Sequence, residues 1–124
     1  MSWILIVLIS LGIIVLVKKI FSFENLQDLG IKRHRAGDFA GAITYLEKAI
    51  KKKPNHAETI CSLGESYLQK SIKFKSVSIT ASKIYQEKAI LNFKKYLKLE
   101  PNGYHSPQII QKLEAIELYN KENI

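Results

Sequence analysis

Cysteine occurs once in this 124-residue chain, proline three times, and no acidic residue precedes Glu24. Each scarcity excludes something. Cys61 has no second cysteine, so no disulfide can form within the chain and the redox compartment is unconstrained. His34, His56 and His105 lie far apart, in no metal-ligand spacing. A glycine-rich phosphate loop, a nucleophile elbow and a carboxylate pair standing apart from helix faces are all missing. The chain therefore reads as a non-enzyme without metal or cofactor.

Charge is absent from one end and unbalanced over the rest. All 19 Lys+Arg and 11 Asp+Glu fall at residue 18 or later, giving a net charge of +8. A basic soluble part favours anionic partners such as lipid headgroups, an acidic protein face or nucleic acid. The plainer reading is a lysine-rich solvated surface beside a membrane. The excess is scattered, with no run of the kind that marks a nucleic-acid arm. Outside the uncharged end, roughly 100 residues remain, enough for about five helices and a modest core.

The uncharged end is an apolar run from Trp3 to Val17, broken only by Ser10 and Gly12 and followed by Lys18 and Lys19. As a helix it spans about 22 Å, short of the roughly 30 Å hydrocarbon core. The deficit closes if Met1 and Ser2 join at one end and Ile20 and Phe21 at the other, with the two lysines snorkelling to the headgroups. A cleaved signal wants basic residues before the run and a small-x-small site after it. Neither is present. Residues 1–22 are thus predicted to be a single-pass transmembrane anchor. Lys18, Lys19, Lys32, Arg33 and Arg35 follow the span closely, so the positive-inside rule places the rest of the chain in the cytoplasm.

Beyond the anchor the sequence repeats itself. Leu26, Leu29 and Gly30 return as Ile60, Leu63 and Gly64, each 34 positions later. A period of this length marks a helical repeat whose units bury their apolar faces only against one another. Ser22 is predicted to cap a helix that ends at Gly37, and Asp38 to cap the next, which Pro54 stops. Phe39, Ala42, Ile43, Leu46, Ala49 and Ile50 recur there at spacings of three and four. Asn55, with Glu58 three residues on, is the expected cap of the second unit.

These residues resemble the tetratricopeptide repeat family. Its consensus positions are met by Leu26, Leu29, Gly30, Gly37, Asp38, Phe39, Ala42, Leu46, Ala49 and Pro54. The second unit supplies Ile60, Leu63, Gly64, Tyr67, Ala89, Phe93 and Pro101. The resemblance covers residues 23–102, as units 23–56 and 57–102. It implies an all-α fold: a transmembrane helix followed by a short α-solenoid of two helix pairs, with Gly30 packed on Ala42 and Gly64 on Ala89. Two positions depart from the pattern. Arg33 stands where the family has an aromatic, and Tyr96 where it has a small residue, so the packing of the following helix is expected to differ.

The second unit is long. Ala42 to Ala89 and Pro54 to Pro101 are each 47 residues apart, leaving 13 beyond the 34-residue period, at about 71–83. That stretch holds Lys73, Lys75 and Lys83 with no acid, no Gly and no Pro. It is expected to lengthen both helices of the pair and to present Lys73 and Lys75, with Ile72 and Phe74, on a basic tip. After Pro101, an Asn102-Gly103 turn leads to Ser106-Pro107, read as N-cap and first helical residue. Residues 103–124 form a capping helix with Ile109, Ile110, Leu113 and Ile116 on one face.

In the resembled family the first helix of each unit lines a groove that holds a segment of another protein. By register this gives Glu24, Gln27, Ile31, His34 and Arg35, then Glu58, Cys61, Glu65, Leu68 and Gln69, then His105, Gln108 and Lys112. The branch that clamps chaperone carboxylates uses Lys and Asn where this chain has Gln27, Ile31, Ser62, His105 and Ile109, which argues against that ligand. The expected function is a membrane-anchored interaction adaptor. A structural accessory subunit of a larger membrane complex is the alternative. A basic module binding anionic lipid or nucleic acid through Lys51, Lys52, Lys53, Lys73 and Lys75 comes third. Nucleic acid ranks last, because aromatics for base stacking are few.

Overall fold

Apolar blocks and cap residues resolve into six helices in the computed structural model, which describes residues 2–123. Met1, counted above towards the span, and Ile124 lie outside them. The helices are α1 (Ser2–Ile20), α2 (Phe23–Arg35), α3 (Phe39–Lys52), α4 (Ala57–Phe74), α5 (Ile79–Leu99) and α6 (Ser106–Glu122). No strand occurs among the described residues.

The 19 residues of α1 give about 28 Å of helix, and no other part of the chain buries any of them. It is long and apolar enough to cross a membrane, and its full exposure separates it from a core helix. Secretion signals share that length and composition. A polar corner joins it to α2. Ser22 Oγ donates to Lys19 O (2.9 Å) and accepts from the Asn25 N–H (3.2 Å), while Asn25 Nδ2 donates to Ile20 O at 2.7 Å.

Two hairpins, α2–α3 and α4–α5, pack side by side, with α6 laid against the second. The first turns at Gly37, whose φ of +80° suits a residue without Cβ. Asp38 Oδ1 then accepts the Gly41 N–H at 3.0 Å and caps α3. One apolar core runs through Leu46, Ile60, Leu63, Tyr67 and Phe93 to Ile109. A smaller cluster of Phe23, Leu26 and Ala49 closes the α1 end, with the Lys53 ammonium 4.4 Å from the Phe23 ring centroid.

Both hairpins are tight at a glycine, and in each a larger side chain lies nearest. A Cβ on Gly30 would lie 2.6 Å from Leu46 Cγ, with the Ala42 carbonyl oxygen at 3.4 Å. A Cβ on Gly64 would lie 2.8 Å from Phe93 Cε1 and 3.4 Å from Asn92 Cβ. The side chain one turn beyond the alanine fills the space, because Leu46 and Phe93 are large enough to reach across it. Ala42 and Ala89 are fully buried beside them.

Two caps also shift. His56, not Asn55, precedes α4, and its Nδ1 accepts the Thr59 N–H at 3.3 Å. Ser106 is buried and donates its hydroxyl to Glu100 O at 2.6 Å, so it braces the turn before α6 instead of capping it. Tyr96 reshapes the same turn. Its hydroxyl accepts the His105 N–H at 3.2 Å and sits 2.5 Å from where a Gly103 Cβ would be.

The second hairpin is the longer one: α4 and α5 have 18 and 21 residues, against 13 and 14 in α2 and α3. Residues 71–83 are helical on both sides of a four-residue turn at 75–78. Ser71 and Ser82 clasp the two arms, each hydroxyl donating to the other's carbonyl at 2.9 and 2.8 Å. Of the expected tip residues, Ile72 and Lys73 are exposed, whereas Phe74 folds back on Tyr85 with ring centroids 5.5 Å apart. Lys75 is exposed as well, with its ammonium 3.8 Å from the Tyr119 ring centroid of α6.

Replacing Gly64 by Leu forces a branched side chain into the Phe93 ring and should cost about 1–3 kcal/mol. The full chain in detergent, melted by circular dichroism, should unfold several degrees earlier. Gly12→Leu, where nothing lies within 4 Å, should not change the melting temperature.

Candidate partner-binding groove

α2, α4 and the start of α6 enclose a shallow hollow of about 160 Å³. Ile31, His34 and Arg35 line it from α2; Glu58, Cys61, Ser62 and Glu65 from α4; and His105 from the turn before α6. Seven of the thirteen predicted groove residues therefore meet there, and Ser62 joins them. Lys112 reaches the rim, where its ammonium pairs with Glu65. The other five lie elsewhere. Glu24 is exposed at the α1 end, 3.6 Å from Lys53. Gln27 and Gln69 are half-buried outside the hollow, Leu68 packs onto the core, and Gln108 is exposed.

Hydrogen bonds fix the walls. Ser66 is fully buried and donates its hydroxyl to Ser62 O at 2.9 Å. Its lone pair must then accept from His34, so the 2.9 Å contact is an Nδ1–H donor and sets the tautomer. Phe39 stacks edge-on at 5.2 Å on the other side of that imidazole. Ser66 escaped the sequence reading, and Ser62 entered it only as a departure from the carboxylate-clamp pattern.

Two polar links tie α4 to the α6 region: His105 Nε2 to Glu58 at 3.0 Å, and Lys112 to Glu65. Both span 47 residues, the distance between Pro54 and Pro101. Acid-to-base pairs at one repeat spacing were thus a readable signal. With both carboxylates engaged, Arg35 is the exposed charge in the hollow that has no ion-pair partner among the described residues.

Cys61 is 5% exposed. Burial, followed by the nearby Glu65 and Glu58 carboxylates, pushes its thiol up to about 12. It is protonated at neutral pH and serves as an apolar floor, not a nucleophile. Among the described residues no three His, Cys, Asp or Glu side chains gather as a metal site. The hollow offers an apolar base of Ile31 and Cys61, hydrogen-bonding walls and, among the described residues, one cation without an ion-pair partner, Arg35. Comparison of the chain with protein-family models, with curated proteins and with solved structures returns no match.

His34 is held below its ordinary value of 6.5, chiefly by burial, with Lys112 lowering it further and Glu65 opposing. A base depressed in the folded state favours folding while neutral. On acidification below about 6.5 the unfolded chain takes up the proton first. Stability should therefore fall as pH drops from 6.5 towards the folded-state value, then level off for this group. His34→Gln should flatten that part of the profile in melts of the full chain recorded against pH.

Proposed function

We propose that the chain is a membrane-anchored adaptor of the tetratricopeptide type, with α1 as its single span and the groove of α2, α4 and α6 holding a segment of another protein. The observation that carries this reading is the convergence of seven register-predicted residues on one hollow with an apolar floor and a free Arg35. Gly30 against Leu46 and Gly64 against Phe93 are equivalent contacts in the two hairpins, which supports repeat-type packing. The basic residues in the last turn of α1 and after it, Lys18 and Lys19 first, favour a cytoplasmic groove.

A second reading, an accessory subunit of a larger membrane complex, draws on the outer face of α5. Ile84 and Leu91 are exposed there at a spacing of seven. Such a subunit would be held by the α5 face as well as the groove.

Affinity capture of the intact chain from its native membrane separates the two. Ile31→Asp with Arg35→Glu should reduce recovery of the partner about tenfold or more, because it puts a charge on the floor and reverses the free cation. Ile84→Asp with Leu91→Asp should leave recovery unchanged; loss of recovery with the α5 pair as well as the groove pair favours the subunit. For the topology, protease added outside right-side-out vesicles should leave residues 24–124 intact, and their digestion would reverse the orientation.

A further inference from the structure

The groove does not account for the far end of α4–α5. Three large aliphatic side chains stand out at that turn: Val77 is 77% exposed, Ile79 67% and Ile72 57%. Lys73 and Lys83 flank them, also exposed, and no acidic residue occurs between 71 and 83. Ordinary solvated turns are polar, so this composition calls for a counterpart. A protein face matched to it would have to bury about 800 Å² per partner for a stable contact. Three aliphatic side chains on and beside a four-residue turn fall far short of that area. A narrow apolar point ringed by lysines fits an anionic bilayer instead: the aliphatic groups enter the acyl boundary and the ammonium groups meet phosphates.

The turn lies at the opposite end of the bundle from α1. Phe23, Lys53 and His56 cluster at the α1 end, where Lys95 also bonds Pro54 O at 2.8 Å. From there α4 runs 18 residues, about 27 Å, before the turn. The Ser71–Ser82 clasp makes the point rigid, so little order is lost when it docks.

The geometry points to a docking tip for an anionic lipid bilayer facing the one that α1 occupies, so that the chain bridges two membrane surfaces. This rests on α1 being an integral span. The full chain is therefore first placed in phosphatidylcholine vesicles and its resistance to alkaline carbonate checked, which tells a failed anchor from a failed tip. Acceptor vesicles of phosphatidylcholine, alone or mixed with phosphatidylglycerol, are then added. Clustering is read by light scattering, and entry by an environment-sensitive dye on Ser76→Cys, with Cys61 shielded by burial.

Clustering and a blue shift are expected only with the anionic acceptor. Val77→Asp with Ile79→Asp should weaken both on the order of tenfold, as should added salt, while Leu91→Asp should change neither. Circular dichroism confirms that each variant is folded. Carbonate-resistant chain that fails to cluster anionic acceptors overturns the inference. So does clustering that survives the tip substitutions, or a blue shift before acceptor is added, which would put the tip in its own bilayer. Binding of the dye-labelled tip to polyglutamate without vesicle clustering would assign an acidic protein and overturn it as well.

Discussion

A side chain at residue 64 would press into the Phe93 ring, which fills the space beside its Cα. That contact sets how near α4 lies to α5, and α4 is the element on which everything else is hung. Its inner face buries Ile60, Leu63 and Tyr67 in the core. Its outer face presents Glu58, Cys61, Ser62 and Glu65 to the hollow. Its last turn carries the exposed Ile72 and Lys73. A shift of α4 away from Phe93 would move all three faces together, since an interior packed this tightly transmits displacement instead of absorbing it.

The polar links of the groove have a different role. Glu58–His105 and Glu65–Lys112 are partly exposed, and such pairs contribute little to stability. Their effect is to hold α6 against α4 and to occupy the Glu58 and Glu65 carboxylates, which leaves Arg35 without an ion-pair partner among the described residues. The His34–Ser66–Ser62 chain is more buried and fixes the α2 wall through a neutral imidazole. Cys61, protonated and nearly covered, completes an apolar base. In the proposed binding mode the floor supplies the affinity and Arg35 the orientation.

Much of this was legible because it depends on local chemistry. The apolar run announced α1, Gly37 and Asp38 marked the first turn, and the 47-residue spacing marked the longer second hairpin. What escaped depends on contacts distant in sequence or on atypical chemistry. His56 caps α4 through an imidazole nitrogen, an acceptor that ordinary cap preferences rank low. Phe93 lies nearest to Gly64, because side-chain reach decides the tightest contact and spacing does not reveal it. Lys75 finds Tyr119 across 44 positions, and Tyr96 rebuilds the turn before α6 through its hydroxyl. Six predicted groove residues missed the hollow's lining: one repeat register assigns a whole helix face, while the concavity takes in only the C-terminal end of α2 and the first half of α4.

The central claim is that the hollow between α2, α4 and α6 is where the chain meets another protein. Site-specific photo-crosslinking in the native membrane tests it most directly, with the photoreactive residue placed at Ser62 inside the hollow or at Leu91 on the outer face of α5. The account predicts a discrete protein adduct from residue 62 and none from residue 91. Adducts from residue 91 alone would contradict it.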